Sequence, residues 1–208
     1  KVFEWSGRGR DPENRGPEKT LLFPVFFHVD AVQAVNYLDL NIARLGVDML
    51  TISGSKIEGA GRVGVLYKKT SVPMVGLFGG GNQEWGLRPG TENLSEIIKF
   101  ANALEFTEKI KEKEVKRLNI LRDYFINKLQ HSYILENVGM LLNGSLNNRL
   151  PNNINITISK IPSDLLVLEL SARGIYISSK SACKEGDGKA SHVIQAINKN
   201  IKPASTQG

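Results

Sequence analysis

Leu21-Leu-Phe-Pro-Val-Phe-Phe-His28 is an apolar stretch that ends, two residues later, on the carboxylate of Asp30. An unbroken apolar run of this length is typical of a strand buried in a parallel sheet. Similar stretches follow at residues 47–53 and 62–67, and residues 31–45 can hold a short helix or turn between the first two. A β-x-β order of this kind predicts crossover connections, so we expect an α/β fold with a mainly parallel sheet.

The residue pattern in the second half of the chain predicts a long helix followed by a small α+β domain. Residues 93–130 carry apolar side chains at helical spacing among many lysines and glutamates, which indicates an amphipathic helix with at most one break. Residues 152–159 alternate polar and apolar side chains, as half-buried strands do. Ser163 can cap a helix over 164–172, and a further strand is expected at 175–179.

The composition excludes several classes of protein. A chain of 208 residues with 41% hydrophobic residues can bury a core. It has no apolar run that approaches the roughly 20 residues of a membrane-spanning helix, and no secretory signal at the start of the sequence, so we expect no membrane association. Basic and acidic residues alternate, so the formal net charge of +6 indicates a solvated surface rather than direct nucleic-acid binding. The single cysteine fits a reducing, cytoplasmic compartment.

Polar residues follow the first two predicted strands at the point where each strand ends. Asp30 and Gln33 come after the first strand, and Lys56, in Ser53-Gly-Ser-Lys56, comes after the second. Ligands of open α/β sheets bind at this edge, and the small residues around Lys56 allow a ligand to come close. Taken singly, Asp30 can be a helix cap and Lys56 a surface lysine. Polar residues at the ends of two strands that face one crevice favour a ligand-binding site over separate structural roles for Asp30 and Lys56.

Cys183 is the one thiol of the chain. A lone cysteine is often a buried apolar residue, but the polar run Lys184-Glu-Gly-Asp-Gly188 after it favours an exposed loop. A thiol on a mobile loop can move to a bound ligand, and lysines at 180 and 184 favour its thiolate form. His28 and His192 are interpreted as structural residues at a strand end and at the start of a short helix.

Five motifs occur in the order and approximate spacing of the class V aminotransferase family, which uses pyridoxal 5′-phosphate (PLP). They are Asp30-Ala-Val-Gln33, Ser53-Gly-Ser-Lys56, Gly79-Gly-Gly-Asn-Gln83, Arg88-Pro-Gly-Thr91 and Ser178-Ser-Lys-Ser-Ala-Cys183. Within that family the chain, from about residue 21 to residue 197, resembles the cysteine desulfurases that supply sulfur to iron–sulfur clusters and tRNA. Another PLP enzyme of the same fold, such as a selenocysteine lyase or an aminotransferase, and a non-catalytic homologue that only binds partners remain open.

The resemblance implies a role for each residue of the strand-end group. Lys56 matches the lysine that holds PLP as a Schiff base, and Asp30 matches the acid beside the pyridine nitrogen. Gln33 matches the residue that bonds the ring hydroxyl. Ser53 and Ser55 fall where side chains contact the phosphate, although many relatives have histidine in place of Ser55.

The resemblance also implies a division of the chain and a shared site. Residues 1–20 read as an irregular N-terminal arm, residues 21–105 as part of the PLP-binding large domain, and residues 106–208 as the connecting helix and small C-terminal domain. Thr91 matches a threonine that reaches the cofactor phosphate of a neighbouring subunit, which implies a homodimer.

The implied reaction converts L-cysteine to L-alanine. Cys183 accepts the substrate sulfur as a persulfide, which passes to an acceptor protein of the iron–sulfur scaffold or tRNA-thiolation type. No metal is implied. Relatives carry further segments before the first strand and after the last helix, so the resemblance is incomplete at both ends. We therefore expect little or no desulfurase turnover from this chain alone.

Overall fold

The structure, a computed structural model, describes residues 25–179 and 191–197. Its first part is a three-stranded sheet in the order β1-β2-β3, formed by β1 (His28–Asp30), β2 (Met49–Ser53) and β3 (Gly64–Lys68). The short helix α1 (Ile42–Leu45) lies in the crossover from β1 to β2. The expected irregular arm at 1–20 lies outside the described residues, as does Cys183.

The sheet contains one parallel and one antiparallel pairing. β1 runs parallel to β2, with Asp30 opposite Thr51, whereas β3 runs antiparallel to β2, with Gly64 opposite Ser53. The direction of β3 has a simple cause, since the connection over residues 54–63 is shorter than the dozen or more residues that a parallel crossover requires. The predicted α/β class is confirmed, with β3 as an antiparallel strand.

The two faces of the sheet differ in character. Side chains alternate along a strand, so Leu50 and Ile52 point to one face, and Thr51 and Ser53 point to the other. The first face packs on the core, where Leu50 is 2% exposed. The second face is more polar and carries Asp30 at the end of β1. Asp30 therefore lies on the more polar face of the sheet, together with Thr51 and Ser53.

An ion pair stabilises the end of the sheet at which β2 begins, opposite to the end that carries Asp30. The Asp48 carboxylate, directly before β2, accepts from the Lys69 ammonium at 2.9 Å and from the Phe27 N–H at 2.8 Å. These two donors, Lys69 first, hold the pKa of the Asp48 carboxyl below its usual value. The start of β2 is thus joined to the residues on either side of it in the sheet.

A single long helix, α2 (Leu94–Gln130), follows the sheet. The Asn93 side chain accepts from the Glu96 N–H and caps its start. The helix runs for 37 residues without interruption and buries Phe100 near one end and Ile126 near the other. The prediction of an amphipathic helix over 93–130 is confirmed, and the break is absent. The predicted domain boundary at 105–106 falls inside this helix and stays a prediction.

The small C-terminal part contains α3 (Tyr133–Asn137), β4 (Met140–Leu142), β5 (Ile156–Ile158), α4 (Ser163–Ser171) and α5 (His192–Ile197). β4 and β5 pair antiparallel, with Met140 opposite Ile158. The strand expected at 152–159 is confirmed only for its last part, because a turn closed by the Asn153 N–H and the Leu150 carbonyl precedes it.

Two details of this part were predicted wrongly. Ser163 is the first residue of α4 and Pro162 is the cap, without a side-chain hydrogen bond. Residues 175–179 form no strand within the described ranges, and Ile175 and Tyr176 are 52% and 84% exposed. An apolar segment becomes a strand only where a neighbouring strand pairs with it, and β4 and β5 pair with each other.

Residues 25–179 and 191–197 contain neither a candidate membrane span nor a candidate metal site. None of the helices there is apolar over a length that could cross a membrane. No group of three histidine, cysteine, aspartate or glutamate side chains in those ranges comes together in a way that could hold a metal ion.

Candidate active site

The structure brings the two strand-end motifs to one edge of the sheet. β1 and β2 are adjacent and parallel, so their carboxyl ends meet at the same edge, with Asp30 at the end of β1 and Ser53 at the end of β2. Lys56 follows directly, on the 3₁₀ turn Gly54–Lys56. The side chains of Asp30, Gln33 and Lys56 are exposed. This edge is where ligands bind in open α/β sheets.

Asp30 has a structural contact in addition to its predicted role. Its Oδ1 accepts from the Val32 N–H at 3.0 Å and so fixes the start of the turn that follows β1. Asp30 therefore stabilises a turn, and the helix cap considered from the sequence is not formed, since no helix begins there. One hydrogen bond leaves the carboxylate with further acceptor capacity, and its exposure keeps it available to a cationic N–H group of a ligand.

Two hydroxyl groups lie together beside Lys56. The Oγ atoms of Ser53 and Ser55 are 2.9 Å apart, and Ser53 Oγ also accepts from the Ser55 N–H at 3.4 Å. Both hydroxyls can rotate to donate to an anion such as a phosphate. An exposed amine, a carboxylate at the next strand end and a pair of hydroxyls are the groups that PLP requires. The residues at this edge therefore fit the cofactor.

Gly54 fixes the turn that carries Lys56. It is buried, and a Cβ atom built on it would lie 3.0 Å from the carbonyl oxygens of Gly61 and Val63. Its N–H donates to the Val63 carbonyl at 2.7 Å. The sequence suggested that small residues here give a ligand room. The structure adds that Gly54 lets the turn pack closely on the backbone that leads into β3.

Sequence reasoning missed Asn36. Its side-chain Nδ2 donates to the backbone carbonyl of Lys56 at 2.6 Å, across 20 positions of sequence. The only signal for this residue in the sequence is an asparagine shortly after the Asp30-Ala-Val-Gln33 motif, which equally fits an ordinary turn residue. The contact joins the segment after β1 to the turn that holds Lys56.

The sequence also singled out His28, Thr91 and Cys183. His28 Nε2 lies 2.8 Å from the Thr51 hydroxyl, a cross-strand contact of the kind expected for a structural residue. Thr91 is exposed on the segment that leads into α2. Cys183 lies outside the described residues, so its role stays a prediction.

Comparison with known proteins identifies the family. The family model for class V aminotransferases matches residues 24–202. The chain is 39% identical over 182 residues to the cysteine desulfurase IscS of Dictyoglomus turgidum, covering 88% of this chain and 45% of the relative. It is also 39% identical to cysteine desulfurase IscS 1 of Archaeoglobus fulgidus, covering 81% of this chain and 43% of the relative.

Solved structures give the same result. A NifS-like protein from Rickettsia africae superposes with a TM-score of 0.72 at 27% identity, over 86% of this chain and 46% of that chain. Another NifS-like protein superposes with a TM-score of 0.67 at 32% identity, over 74% of this chain and 40% of that chain. The chain therefore spans less than half the length of the relatives that it matches.

Proposed function

The chain belongs to the class V aminotransferase family, and from that premise we propose that it forms part of a PLP-dependent cysteine desulfurase. The observation that carries the proposal is the joint placement of Asp30 and Lys56 at the carboxyl ends of two adjacent parallel strands. Curated relatives named cysteine desulfurase, at 39% identity, support the choice of reaction within the family.

The residues of this edge would divide the work as follows. Bound PLP supplies an electron sink for carbanion chemistry. The Lys56 amine holds the cofactor and then moves the α-proton of the substrate, for which its exposed position at the end of a short turn is suitable. The Asp30 carboxylate keeps a proton on the pyridine nitrogen. The hydroxyls of Ser53 and Ser55 donate to the phosphate, and Gln33 bonds the ring hydroxyl.

Cys183 would accept the sulfur. Its thiolate attacks the sulfur atom of L-cysteine, so that an S–S bond forms as the C–S bond of the substrate breaks. The remaining three-carbon amino acid takes up a proton and leaves as L-alanine, and Cys183 keeps the sulfur as a persulfide. This step needs no external oxidant, because the electron pair of the broken C–S bond stays on the substrate carbon, which takes up the proton.

We expect L-cysteine that carries radioactive sulfur to label Cys183 when the 208-residue chain is incubated with PLP. The label should be released by a thiol reductant and should be absent from Cys183→Ala. A single turnover is sufficient to label Cys183. The measurement therefore does not depend on the rate of multiple turnover, which we expect to be low for this chain alone. Formation of a keto acid from cysteine, unaffected by Cys183→Ala, would identify an aminotransferase instead.

The proposal includes a homodimer. The loop before α2 exposes several large apolar side chains, which are Val75 at 88%, Leu77 at 92%, Phe78 at 72% and Trp85 at 91%. Trp85 and its neighbour Glu84 also have positive φ angles of 54° and 51°, an unfavourable backbone conformation for such residues. Exposed apolar clusters of this kind mark interaction surfaces. Thr91 follows on the same segment, which supports its assignment to a site shared between subunits.

We expect Leu77→Ser/Phe78→Ser to weaken self-association of the chain by about tenfold or more, because buried apolar anchors dominate interface energies. Sedimentation velocity over a range of protein concentrations measures the change. Tyr133→Ser, which removes a side chain that is 77% exposed on α3, is the matched control. A chain that stays monomeric at all concentrations would contradict the homodimer, and an unchanged dimer in the double variant would contradict the interface.

The proposal also includes a compartment and an acceptor protein. A single cysteine supports a cytoplasmic location, where a free thiol persists. The IscS names of the relatives support transfer of sulfur to an acceptor protein of the iron–sulfur scaffold type. Labelled sulfur that moves from Cys183 to such a scaffold in a mixture of the two proteins is the measurement that tests this partner.

A further inference from the structure

Asn36 lies on a segment that the fold holds rigidly to the sheet. Ala31, which follows Asp30, donates its N–H to the Thr51 carbonyl of β2 at 2.9 Å and is fully buried. The Val35 N–H then bonds the Ala31 carbonyl at 3.1 Å, and the Val35 side chain is 1% exposed. The backbone from Asp30 to Asn36 is therefore fixed by these hydrogen bonds and by the burial of Ala31 and Val35.

The same segment packs on the turn that carries Lys56. Val35 and Ile57 belong to one buried cluster, so the residues beside Asn36 and beside Lys56 are in the same core. Lys56 ends a 3₁₀ turn, and carbonyls at the end of a short helix lack partners within it. Asn36 Nδ2 donates to the Lys56 carbonyl at 2.6 Å. The hydrogen bond thus holds the backbone of Lys56 against a rigid support.

The other half of the Asn36 amide is unusual. Its Oδ1 is buried and has no hydrogen-bond partner within the described ranges. A buried acceptor without a partner destabilises a fold, and an apolar side chain at this position would avoid that loss. Stability alone therefore does not favour asparagine here, whereas the need for a donor to the Lys56 carbonyl does.

We propose that Asn36 is a positioning residue that orients Lys56 toward the ring-binding groups Asp30 and Gln33. This inference rests on the proposed cofactor site. Asn36 is assigned no contact with cofactor or substrate, and it acts through its hydrogen bond to the backbone of Lys56. By linking the segment that bears Asp30 to the turn that bears the lysine, it fixes the relative placement of two groups that must contact the same ring.

The test uses the 208-residue chain with PLP, borohydride reduction and peptide mapping. For Asn36→Ala and Asn36→Asp we expect the PLP concentration that gives half-maximal labelling of Lys56 to rise about tenfold. Asn36→Asp is nearly isosteric but turns an oxygen toward the Lys56 carbonyl. Asn36→Gln keeps an amide donor and should restore labelling. Asn148→Ala, in an exposed loop beside the small sheet, is the matched control and should label as the unaltered chain does.

A second readout reports orientation and not affinity. PLP is achiral, so its visible circular dichroism arises only when the protein holds it in a fixed orientation. Before borohydride is added, and at a PLP concentration that saturates Lys56, we expect this signal per bound cofactor to change in Asn36→Ala and Asn36→Asp and to return in Asn36→Gln. Far-ultraviolet circular dichroism, dominated by α2, checks that each variant is folded.

The outcomes distinguish the positioning role of Asn36 from the proposed cofactor site at Lys56. Labelling of Lys56 and visible dichroism that are unchanged in folded Asn36→Ala and Asn36→Asp would overturn the positioning role alone. Loss of folding in both variants would also overturn it, because the hydrogen bond would then stabilise the domain rather than orient Lys56. Absence of labelling at Lys56 in the unaltered chain would overturn the cofactor site and the role of Asn36 with it.

Discussion

Lys56→Ala is expected to abolish covalent incorporation of PLP into the chain after borohydride reduction. The side chain is exposed at the end of the turn Gly54–Lys56, beside the edge where β1 and β2 end. Its amine is the only group assigned to bind the cofactor carbon, and no serine or aspartate at this edge can replace that chemistry. Mass spectrometry of the reduced, digested protein measures the loss at the peptide that contains residue 56.

Two further variants isolate the cause of that loss. Lys56→Arg keeps a positive charge at the site but offers no amine that can condense with an aldehyde, so it should be as deficient as alanine. Lys128→Ala removes an exposed lysine from α2 and should leave labelling unchanged. Retained labelling in Lys56→Arg, or labelling of another lysine in the unaltered chain, would contradict the assignment of Lys56.

The sequence predicted the elements whose signals are local. The apolar run that begins at Leu21 predicted a buried strand, but β1 comprises only His28–Asp30, and Val25 and Phe27 before it are 77% and 45% exposed. The second apolar run gave β2, and the helical spacing over residues 93–130 gave α2 with an error of one residue at its start. The edge of the sheet followed from the rule that ligands bind at the carboxyl ends of parallel strands. For this reason the amino-acid sequence alone was sufficient to place Asp30 and Lys56 at one edge.

The features that the sequence did not predict depend on contacts between distant segments. The antiparallel direction of β3 follows from the length of one connection, and residues 175–179 show strand composition without a paired strand. The hydrogen bond from Asn36 to Lys56 joins residues 20 positions apart. Neither composition nor periodicity carries such information, because each contact requires that two segments first be brought together by the rest of the fold.

Phe100 is the residue through which the long helix supports the site. It is 6% exposed and packs in one cluster with Val35, Ile57 and Ala60. Val35 precedes Asn36 and Ile57 follows Lys56, so the aromatic ring lies against both segments that the Asn36 hydrogen bond joins. The position of α2 and the placement of Lys56 are therefore coupled through this side chain.

We expect Phe100→Ala to lower the free energy of unfolding by about 3–5 kcal/mol, the usual loss when a buried phenylalanine leaves a cavity. Urea denaturation followed by far-ultraviolet circular dichroism measures this change. Phe106→Ala, on the same helix at a position that is 61% exposed, is the matched control and should cost about 0.5 kcal/mol or less.

Because the cavity would lie beneath Val35 and Ile57, PLP labelling of Lys56 should also fall in Phe100→Ala under conditions where the protein is still folded. Equal losses of stability in the two variants would mean that Phe100 does not anchor α2 to the sheet, and full labelling in folded Phe100→Ala would mean that Lys56 is oriented independently of the helix.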